Sequence, residues 1–217
     1  MYYIQMLVFR VYIALGNEAL ALVGLIPEGE LTPYKRNELI ASGGYIVTKL
    51  FKREYFLSHD FTFRHNVILE DSEIVAYAMA TAKNIGNVKE VLYTYKDSDH
   101  SSSKVIHPIK YFHSCFYAMN AIFDKLHVLP NYDSIRESVE YEILQMYSYS
   151  IICLLQNKQD YPKEELLSCL FSLREFRLTK IAKGYKNKYV QNKIPQEEIE
   201  IMKLNDNSPE KLYEAII

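Results

Sequence analysis

The stretch IKYFHSCFYAMNAI, residues 109 to 122, carries the pattern that decides the fold of the larger part of the chain. Its large apolar side chains recur every three or four residues, at Ile109, Phe112, Phe116, Met119 and Ile122. This spacing places them on one face of an α-helix. Because a helix with one apolar face needs a second element to cover it, the stretch predicts a packed bundle of helices.

The residues that follow repeat this pattern. Pro130 ends the first helix, and a second helix is expected over about 134–155, with buried positions at Ile135, Val139, Ile143, Met146 and Ile151. Pro162 introduces a third helix that runs towards Phe176, since proline is favoured in the first turn of a helix. We therefore predict that residues 104–217 form a mainly helical C-terminal region.

The residues before 104 have a different character. Short apolar runs alternate with turn signals such as PEGE at 27–30 and SGG at 42–44, which is typical of mixed α and β structure. A helix is expected over 71–83, the NIGN turn at 84–87 should end it, and KEVLYTY at 89–95 reads as a strand. The predicted fold class is α/β over 1–103, followed by the helical region.

Composition narrows the function classes. The chain has 217 residues, of which 49% are hydrophobic, and its net charge of -2 argues against nucleic-acid binding through overall charge. Its three cysteines are far apart and form no CxxC, so a reducing cytoplasm fits best. The apolar residues 1–27 match neither a signal peptide nor a membrane span, because Arg10 and Glu18 interrupt them, and we expect a buried strand or helix.

Two adjacent acids, Glu70 and Asp71, stand at the predicted start of the helix over 71–83. Asp71 suits a plain N-cap, because its carboxylate can accept hydrogen bonds from free backbone N–H groups at the positive end of the helix. It equally suits a general base held at the edge of a pocket, with Glu70 orienting it or the substrate. The spacing alone leaves both interpretations open.

The flanking order is KLFKRE at 49–54, an F-x-F at 61–63, the Glu70–Asp71 pair, LYTYK at 92–96, and three serines at 101–103. This order resembles the second half of the catalytic domain of family 2 glycosyltransferases, GT-A enzymes that build bacterial capsule and other surface polysaccharides. The match covers about residues 43–104, and helical tails commonly follow it in the family. The resemblance implies a partial GT-A-like mixed sheet over 1–103.

The resemblance also implies roles for individual residues. Asp71 takes the place of the catalytic base, which removes a proton from the acceptor hydroxyl as that hydroxyl attacks the anomeric carbon of a nucleotide-sugar. Glu70 binds or orients the acceptor. Lys49, Lys96, Ser101 and Ser102 are implied as further substrate-binding residues, with Lys96 standing where the family usually has Arg.

One part of the family pattern is missing. A divalent metal, Mg²⁺ or Mn²⁺, is expected for the family and is held by an Asp-x-Asp that precedes the matched region. Residues 1–42 contain no Asp, so the ligands of this metal are not seen, and we expect an N-terminally truncated transferase or a remnant of one. The triplet Asp97-Ser98-Asp99 follows the Glu70–Asp71 pair and reads as a loop, where His100 could add a ligand only if a metal is present.

A second feature is LFSLREFRLTKIAKGYKNKYVQNK, residues 170–193, which has seven basic residues and one acid. As one helix it would align Leu178, Ile181, Ala182, Tyr185 and Tyr189 on one face. Such a helix fits peripheral contact with an anionic membrane, and it fits equally a packed helix with a solvated basic face. No recognisable nucleic-acid motif accompanies it, so nucleic acid is not expected as a partner.

These observations lead to one hypothesis and one alternative. The hypothesis is a glycosyltransferase, or a truncated remnant, that transfers a sugar from a nucleotide-sugar to a hydroxyl of a glycan or lipid-linked acceptor, with Asp71 as general base. The alternative is a non-catalytic helical module that binds a partner protein or a membrane surface. Both place the chain in the cytoplasm, with contact at the inner face of the membrane.

Overall fold

A computed structural model describes residues 5–9, 12–15, 18–21, 29–43, 46–88 and 107–215. Its strands are β1 (Gln5–Phe9), β2 (Tyr12–Leu15), β3 (Glu18–Ala21), β4 (Gly29–Glu30), β5 (Lys49–Leu50) and β6 (Asn84–Val88). Its α-helices are α1 (Pro33–Ala41), α2 (Arg53–Ser58), α3 (Ser72–Thr81), α4 (Pro108–Leu126), α5 (Tyr132–Gln156), α6 (Lys163–Lys180), α7 (Lys188–Lys193), α8 (Gln196–Asn207) and α9 (Pro209–Ala215). The chain is therefore mostly helical.

The longer of the two described sheets is mixed. Its strand order is β4-β6-β1-β5, in which β1 and β6 run parallel while β5 and β4 each lie antiparallel to their neighbours. Strands β2 and β3 form a separate antiparallel pair. Residue Lys49 therefore lies on an edge strand, directly before α2.

Three of the described helices begin at a side chain that accepts hydrogen bonds from their free N–H groups. Thr32 caps α1 by accepting a hydrogen bond from Lys35 N at 3.4 Å, and Pro33 follows it in the first turn. The ring of His107 caps α4 in the same way through Lys110 N, before Pro108. Asn187 caps α7 through Tyr189 N and Val190 N. These caps mark the starts of α1, α4 and α7.

One hydrophobic core joins the sheet side of the molecule to the bundle. It includes buried side chains such as Ile40 of α1, Ile74 of α3, Met119 of α4, Ile143 of α5 and Leu173 of α6. Helix α1 packs against α5, and α3 packs against α4. The division at residues 103 and 104 falls between the described residues 88 and 107 and stays a prediction.

The predicted helices of the C-terminal region are confirmed. The apolar face of the quoted stretch is buried in α4, with Phe116 partly so, and α5 and α6 follow close to the expected bounds. Helix α3 likewise matches the helix expected over 71–83. Amphipathic spacing was sufficient to locate them because each buries one long face.

Two local predictions are wrong. The expected NIGN turn is the strand β6, because the chain passes from α3 through Ala82 and Lys83 directly into the sheet beside β1. The basic segment 170–193 is two helices with a turn between them, since α6 ends at Lys180 and Gly184 has a left-handed backbone, φ 51°. The predicted strand over 89–95 lies outside the described residues.

Because of this break, the five apolar residues predicted to share one face of the basic segment do not do so. Ile181 and Tyr189 are buried in the core and Tyr185 is partly buried, whereas Leu178 and Ala182 are exposed. Among the described helices, none is both long enough and apolar enough to pass through a bilayer. Strands β1 to β3 lie within the apolar residues 1–27, where a strand or a helix was expected.

Candidate functional site

Asp71 occupies the N-cap position of α3, but its carboxylate does not cap the helix. Its backbone is helical, φ -93° and ψ -17°, and its side chain makes no hydrogen bond to the first turn. A capping Asp has an extended backbone that aims its oxygen at the following N–H groups. Here Oδ2 accepts a hydrogen bond from Ile46 N at 3.3 Å instead. The position matches the cap interpretation, while the direction of the side chain does not.

A strained residue stands directly before the acid pair. Leu69 has a left-handed backbone, φ 62°, which is rare for a residue with a branched side chain and costs about 1–2 kcal/mol. Hydrogen bonds hold this conformation: Arg64 Nη2 and Ser72 N both donate to the carbonyl of Leu69, at 3.4 and 3.3 Å, and Ile68 N donates to Ser114 Oγ on α4 at 3.1 Å. The surrounding fold therefore fixes the approach to Glu70 and Asp71.

Glu73 secures the same segment from inside α3. Its buried carboxylate lies 2.7 Å from Lys125 Nζ of α4 and 3.4 Å from Arg64 Nε, and the Arg64 guanidinium lies over the ring of Tyr117 at 4.2 Å. Glu73 is thus a structural acid whose ion pairs tie the loop before Glu70 to α4. Sequence reasoning missed it, although a third acid in the run Glu70-Asp71-Ser72-Glu73 was a visible signal.

Lys49 enters the site from the edge strand β5. Its side chain is only 6% exposed, and the expectation that it binds a substrate stays a prediction. Burial lowers the pKa of Lys49 to about 8, although the charges of Asp71 and Glu142 both act to raise it. Lys49 is therefore a buried lysine whose pKa is also affected by the charges of two carboxylates, Asp71 and Glu142.

Glu142 of α5 is the second of these carboxylates, and sequence reasoning missed it. Its Oε2 atom is buried and accepts no hydrogen bond. Burial raises the pKa of Glu142 to about 7, against the attraction of Lys49. A buried carboxyl that titrates near neutral pH beside a buried lysine is the kind of perturbed pair that clusters at functional sites.

Gly43 follows the end of α1 and lies close to the carboxylate of Glu142. Its φ of 61° is left-handed, and its N–H donates to the carbonyl of Ile40 at 3.0 Å, which ends the helix. A Cβ atom at this position would lie 3.5 Å from Oε2 of Glu142, an ordinary contact, so glycine is required by the backbone and not by space.

An aromatic cluster lies beside the site, and it accounts for much of the KLFKREYF motif. Tyr55 and Phe61 are buried, and the ring of Phe61 packs against those of Tyr55, Phe56 and Tyr77 at centroid distances of 5.1–5.9 Å. The hydroxyl of Tyr55 lies 2.6 Å from Thr81 Oγ1, which joins α2 to the end of α3. The motif therefore builds a local core that supports α3.

The remaining predicted residues are placed as follows. Glu70 is partly buried in the turn before α3, next to Asp71. Lys96, Ser101 and Ser102 lie outside the described residues, as do the triplet at 97–99 and His100. Of the predicted site residues, the structure therefore describes Lys49, Glu70 and Asp71.

The described residues around Asp71 do not fit a divalent metal. No group of three His, Cys, Asp or Glu side chains suitable for a metal occurs in the part of the chain that the structure describes. We therefore derive no step through a metal at these residues.

A separate cavity of about 410 Å³ lies between the ends of α4 and α6 and the start of α5. Its charged groups already have partners. Arg136 is paired with Asp133, and Lys180 Nζ donates to Asp124 Oδ1 at 2.9 Å. Glu140 accepts hydrogen bonds from Ala182 N and Lys183 N. This cavity has few groups left for a ligand.

The turn between α6 and α7, residues 181–187, presents cations on a fixed frame. The buried carboxylate of Glu140 binds its backbone, and Asn187 Nδ2 donates to the carbonyl of Glu137 at 2.6 Å. The side chains of Lys183 and Lys186 are exposed, and neither makes an ion pair among residues that the structure describes. We call this turn the lysine turn.

A comparison of the chain with models of known protein families and with curated proteins finds no match in either set.

Proposed function

We propose that this chain is the acceptor side of a GT-A-like family 2 glycosyltransferase, in which Asp71 is the general base. The proposal takes the mixed sheet, α2 and α3 as part of a transferase domain, with a nucleotide-sugar as donor and a glycan or lipid-linked hydroxyl as acceptor. It places the reaction at the inner face of a membrane. The observation that carries it is the carboxylate of Asp71, which stands at a helix N-terminus without capping it.

Three features support this assignment. The carboxylate of Asp71 makes no hydrogen bond to the first turn of α3, so it is not engaged as a cap and is left for a role as base. The bond from Ile46 N holds one oxygen of Asp71, which leaves the other for a hydroxyl. The left-handed Leu69 fixes the preceding turn, and strain of this kind is found where a side chain must be aimed.

In the proposed reaction the base has one task, which is to accept a proton from the acceptor hydroxyl. Asp71 accepts the proton of the acceptor hydroxyl while the hydroxyl oxygen bonds to the anomeric carbon, and the nucleoside diphosphate leaves with the electron pair of the broken bond. Alignment of the two reactants supplies much of the rate, and proton transfer to a positioned carboxylate adds about 10²- to 10⁴-fold. Glu70, next to Asp71, orients the acceptor in this proposal.

Binding of sugar nucleotides gives the first test. The purified chain is titrated with UDP- and GDP-sugars, with and without Mn²⁺ and an oligosaccharide mixture, while its thermal unfolding is followed. A ligand at 100 times its Kd adds about 2.7 kcal/mol, which raises Tm by roughly 5–10 °C for a chain of this size. We expect such a rise for one sugar nucleotide and its loss in Asp71→Asn.

Asp133→Asn is the matched control, because Asp133 is also an acid in the first turn of a helix but lies exposed at the start of α5. This variant should keep the rise in Tm. If none of the sugar nucleotides raises the Tm of the wild-type chain, a transferase site is contradicted.

A second candidate function rests on the lysine turn. We propose, as the alternative, a non-catalytic module that binds an anionic membrane surface through Lys183 and Lys186. The favouring observation is that the carboxylate of Glu140 accepts hydrogen bonds from the backbone of the turn, at Ala182 N and Lys183 N. Glu140 therefore does not pair with the side chains of Lys183 and Lys186. Each such lysine near an anionic surface contributes about 1 kcal/mol.

Vesicle co-sedimentation tests this alternative. The chain is mixed with vesicles of phosphatidylcholine alone or with phosphatidylglycerol. Binding to the anionic vesicles alone is expected, with a loss of about 30-fold in Lys183→Gln/Lys186→Gln. Lys110→Gln/Lys211→Gln removes the same charge from exposed lysines elsewhere and should bind as wild type. Equal binding by both double variants would contradict a role for the lysine turn.

A further inference from the structure

Helix α4 holds the loop before the acid pair at two neighbouring positions. Ser114 Oγ accepts a hydrogen bond from Ile68 N at 3.1 Å. The guanidinium of Arg64 lies over the ring of Tyr117, with 4.2 Å between Cζ and the ring centre. Ser114 and Tyr117 are three residues apart in α4 and therefore lie next to each other on its surface. The two contacts tie residues 64–68 to this part of α4.

The contact with Arg64 places Tyr117 close to the acid pair. Arg64 Nη2 also donates to the carbonyl oxygen of Leu69 at 3.4 Å. Because one guanidinium makes both contacts, the centre of the Tyr117 ring lies within about 9 Å of this oxygen. Glu70 and Asp71 follow Leu69 directly. Two linked sugar rings can span such a distance.

The ring of Tyr117 is held on one face and accessible on the other. Arg64 covers one face and is itself largely buried, since 16% of its side chain is exposed. Tyr117, in contrast, is 56% exposed. An aromatic ring that is already held in place loses little conformational entropy when a ligand packs on it. Tyr117 is therefore suited to bind a ligand with a flat apolar face.

A second exposed ring lies on the segment that carries Arg64. Phe63 is 45% exposed and stacks on the partly buried Phe56, with the ring centres 6.4 Å apart. Exposed aromatic rings therefore lie next to Arg64 both in sequence and in space. Aromatic side chains beside a few polar groups are typical of ligand-binding surfaces.

The charged groups around Arg64 favour a neutral ligand. The carboxylate of Glu73 lies 3.4 Å from Arg64 Nε and 2.7 Å from Lys125 Nζ. These ion pairs already balance the charges of both cations in part, and the ring of Tyr117 covers the guanidinium from the other side. An uncharged sugar fits this surface better than an anion does.

We propose that Tyr117 is an acceptor-binding residue, on whose accessible face a sugar ring of the acceptor glycan stacks. The two surfaces match, because the face of an aromatic ring carries partial negative charge and the C–H face of a pyranose is apolar and weakly positive. The ligand class is a glycan with flat C–H faces, as in β-linked chains of glucose or N-acetylglucosamine. That this glycan is the acceptor of a reaction at Asp71 rests on the proposed function, whereas the stacking itself does not.

Aromatic NMR spectra of the full chain, labelled with ¹³C-tyrosine, test this proposal. The Tyr117 resonance is assigned by its loss in Tyr117→Phe, and the chain is titrated with cellotetraose and with chitotetraose. We expect this resonance to move and to saturate with at least one of the two. The resonances of Tyr34 and Tyr149, which are 74% and 47% exposed, should stay in place. No movement of Tyr117 with either oligosaccharide, or equal movement of all three tyrosines, overturns the proposal.

The affinity for the oligosaccharide, measured from its own NMR signals, gives a second readout. Tyr117→Ala removes the ring and should weaken binding about tenfold, a loss typical of one aromatic contact. Tyr117→Phe keeps the ring and should bind nearly as the wild type does. Tyr149→Ala removes an exposed tyrosine from α5 and is the matched control, which should also bind as the wild type. Equal affinity of Tyr117→Ala and the wild type would contradict the assigned role.

Failure of this inference and failure of the proposed transferase are separate results, because neither measurement contains a sugar nucleotide. If no sugar nucleotide raises Tm while an oligosaccharide still moves the Tyr117 resonance, the transferase fails and the glycan-binding surface stands. If a sugar nucleotide raises Tm while the Tyr117 resonance stays in place, the transferase stands and Tyr117 has no part in binding its acceptor.

Discussion

The pH dependence of stability provides a quantitative prediction for the substitution Glu142→Gln. Burial raises the pKa of Glu142 from an ordinary 4.5 to about 7, so the folded chain binds one more proton than the unfolded chain between these values. Stability therefore falls as pH rises from about 4.5 to 7. At 1.36 kcal/mol per pH unit, the loss is about 3 kcal/mol.

Glutamine has nearly the shape of a protonated glutamate and does not titrate. At pH 4.5 we expect Glu142→Gln and the wild type to unfold with nearly the same free energy. At pH 7 the variant should be more stable by about 3 kcal/mol, because the wild type then holds a buried carboxylate whose Oε2 lacks a hydrogen bond.

Urea denaturation at intervals between pH 4.5 and 7.5 measures this difference, with the free energies obtained by linear extrapolation. Glu137→Gln controls for a change from Glu to Gln on the same helix and should follow the wild-type curve. Parallel curves for the wild type and Glu142→Gln over this range would refute the placement of Glu142 as a buried, titrating acid.

Three further substitutions test the supports of the site and the bundle, each by urea denaturation at pH 7. Glu73→Gln should lower the free energy of unfolding by about 1 kcal/mol, because it weakens the ion pair of the buried Glu73 carboxylate with the exposed Lys125; unchanged stability would contradict that role. Asp206→Asn should cost about 2–3 kcal/mol, since the carboxylate of Asp206 accepts the hydroxyl of Tyr147 at 2.9 Å, and unchanged stability would show this buried bond to be unimportant. Gly184→Ala should cost about 2 kcal/mol, because the left-handed φ of 51° opposes alanine and its Cβ would lie 2.7 Å from a guanidinium nitrogen; a neutral result would contradict the turn geometry.

The sequence alone was sufficient to locate the helices that have apolar residues at helical spacing. Helices α4, α5 and α6 follow from apolar residues at helical spacing, because tertiary burial of that face is what stabilises them. Helix α3 was found for the same reason.

Short elements were harder, because neighbours in space decide them. NIGN has the composition of a turn but forms β6, whose pairing with β1 is set by residues far away in the chain. The basic segment has a helical pattern throughout, yet Gly184 and the cap at Asn187 divide it, and both residue types were visible break signals.

The site shows the same limit. The sequence singled out Asp71 and placed it correctly at the start of a helix, but the direction of its side chain is set by Ile46 N, a tertiary contact. Lys49 was expected at the substrate, and the burial of its side chain on the edge strand could not be predicted from the sequence. Glu142 was not predicted, because an acid in a helix is normally exposed to solvent and only the fold shows that this one is buried.

The central claim is that the carboxylate of Asp71 acts as a base for sugar transfer, and turnover tests it most directly. Release of nucleoside diphosphate from the sugar nucleotide that raises Tm is measured with an oligosaccharide acceptor mixture, for the wild type, Asp71→Asn and the control Asp133→Asn. We expect the rate to fall at least about 100-fold in Asp71→Asn and to be unchanged in Asp133→Asn. Turnover that survives in Asp71→Asn, or a wild-type chain that releases no nucleoside diphosphate, would contradict the claim.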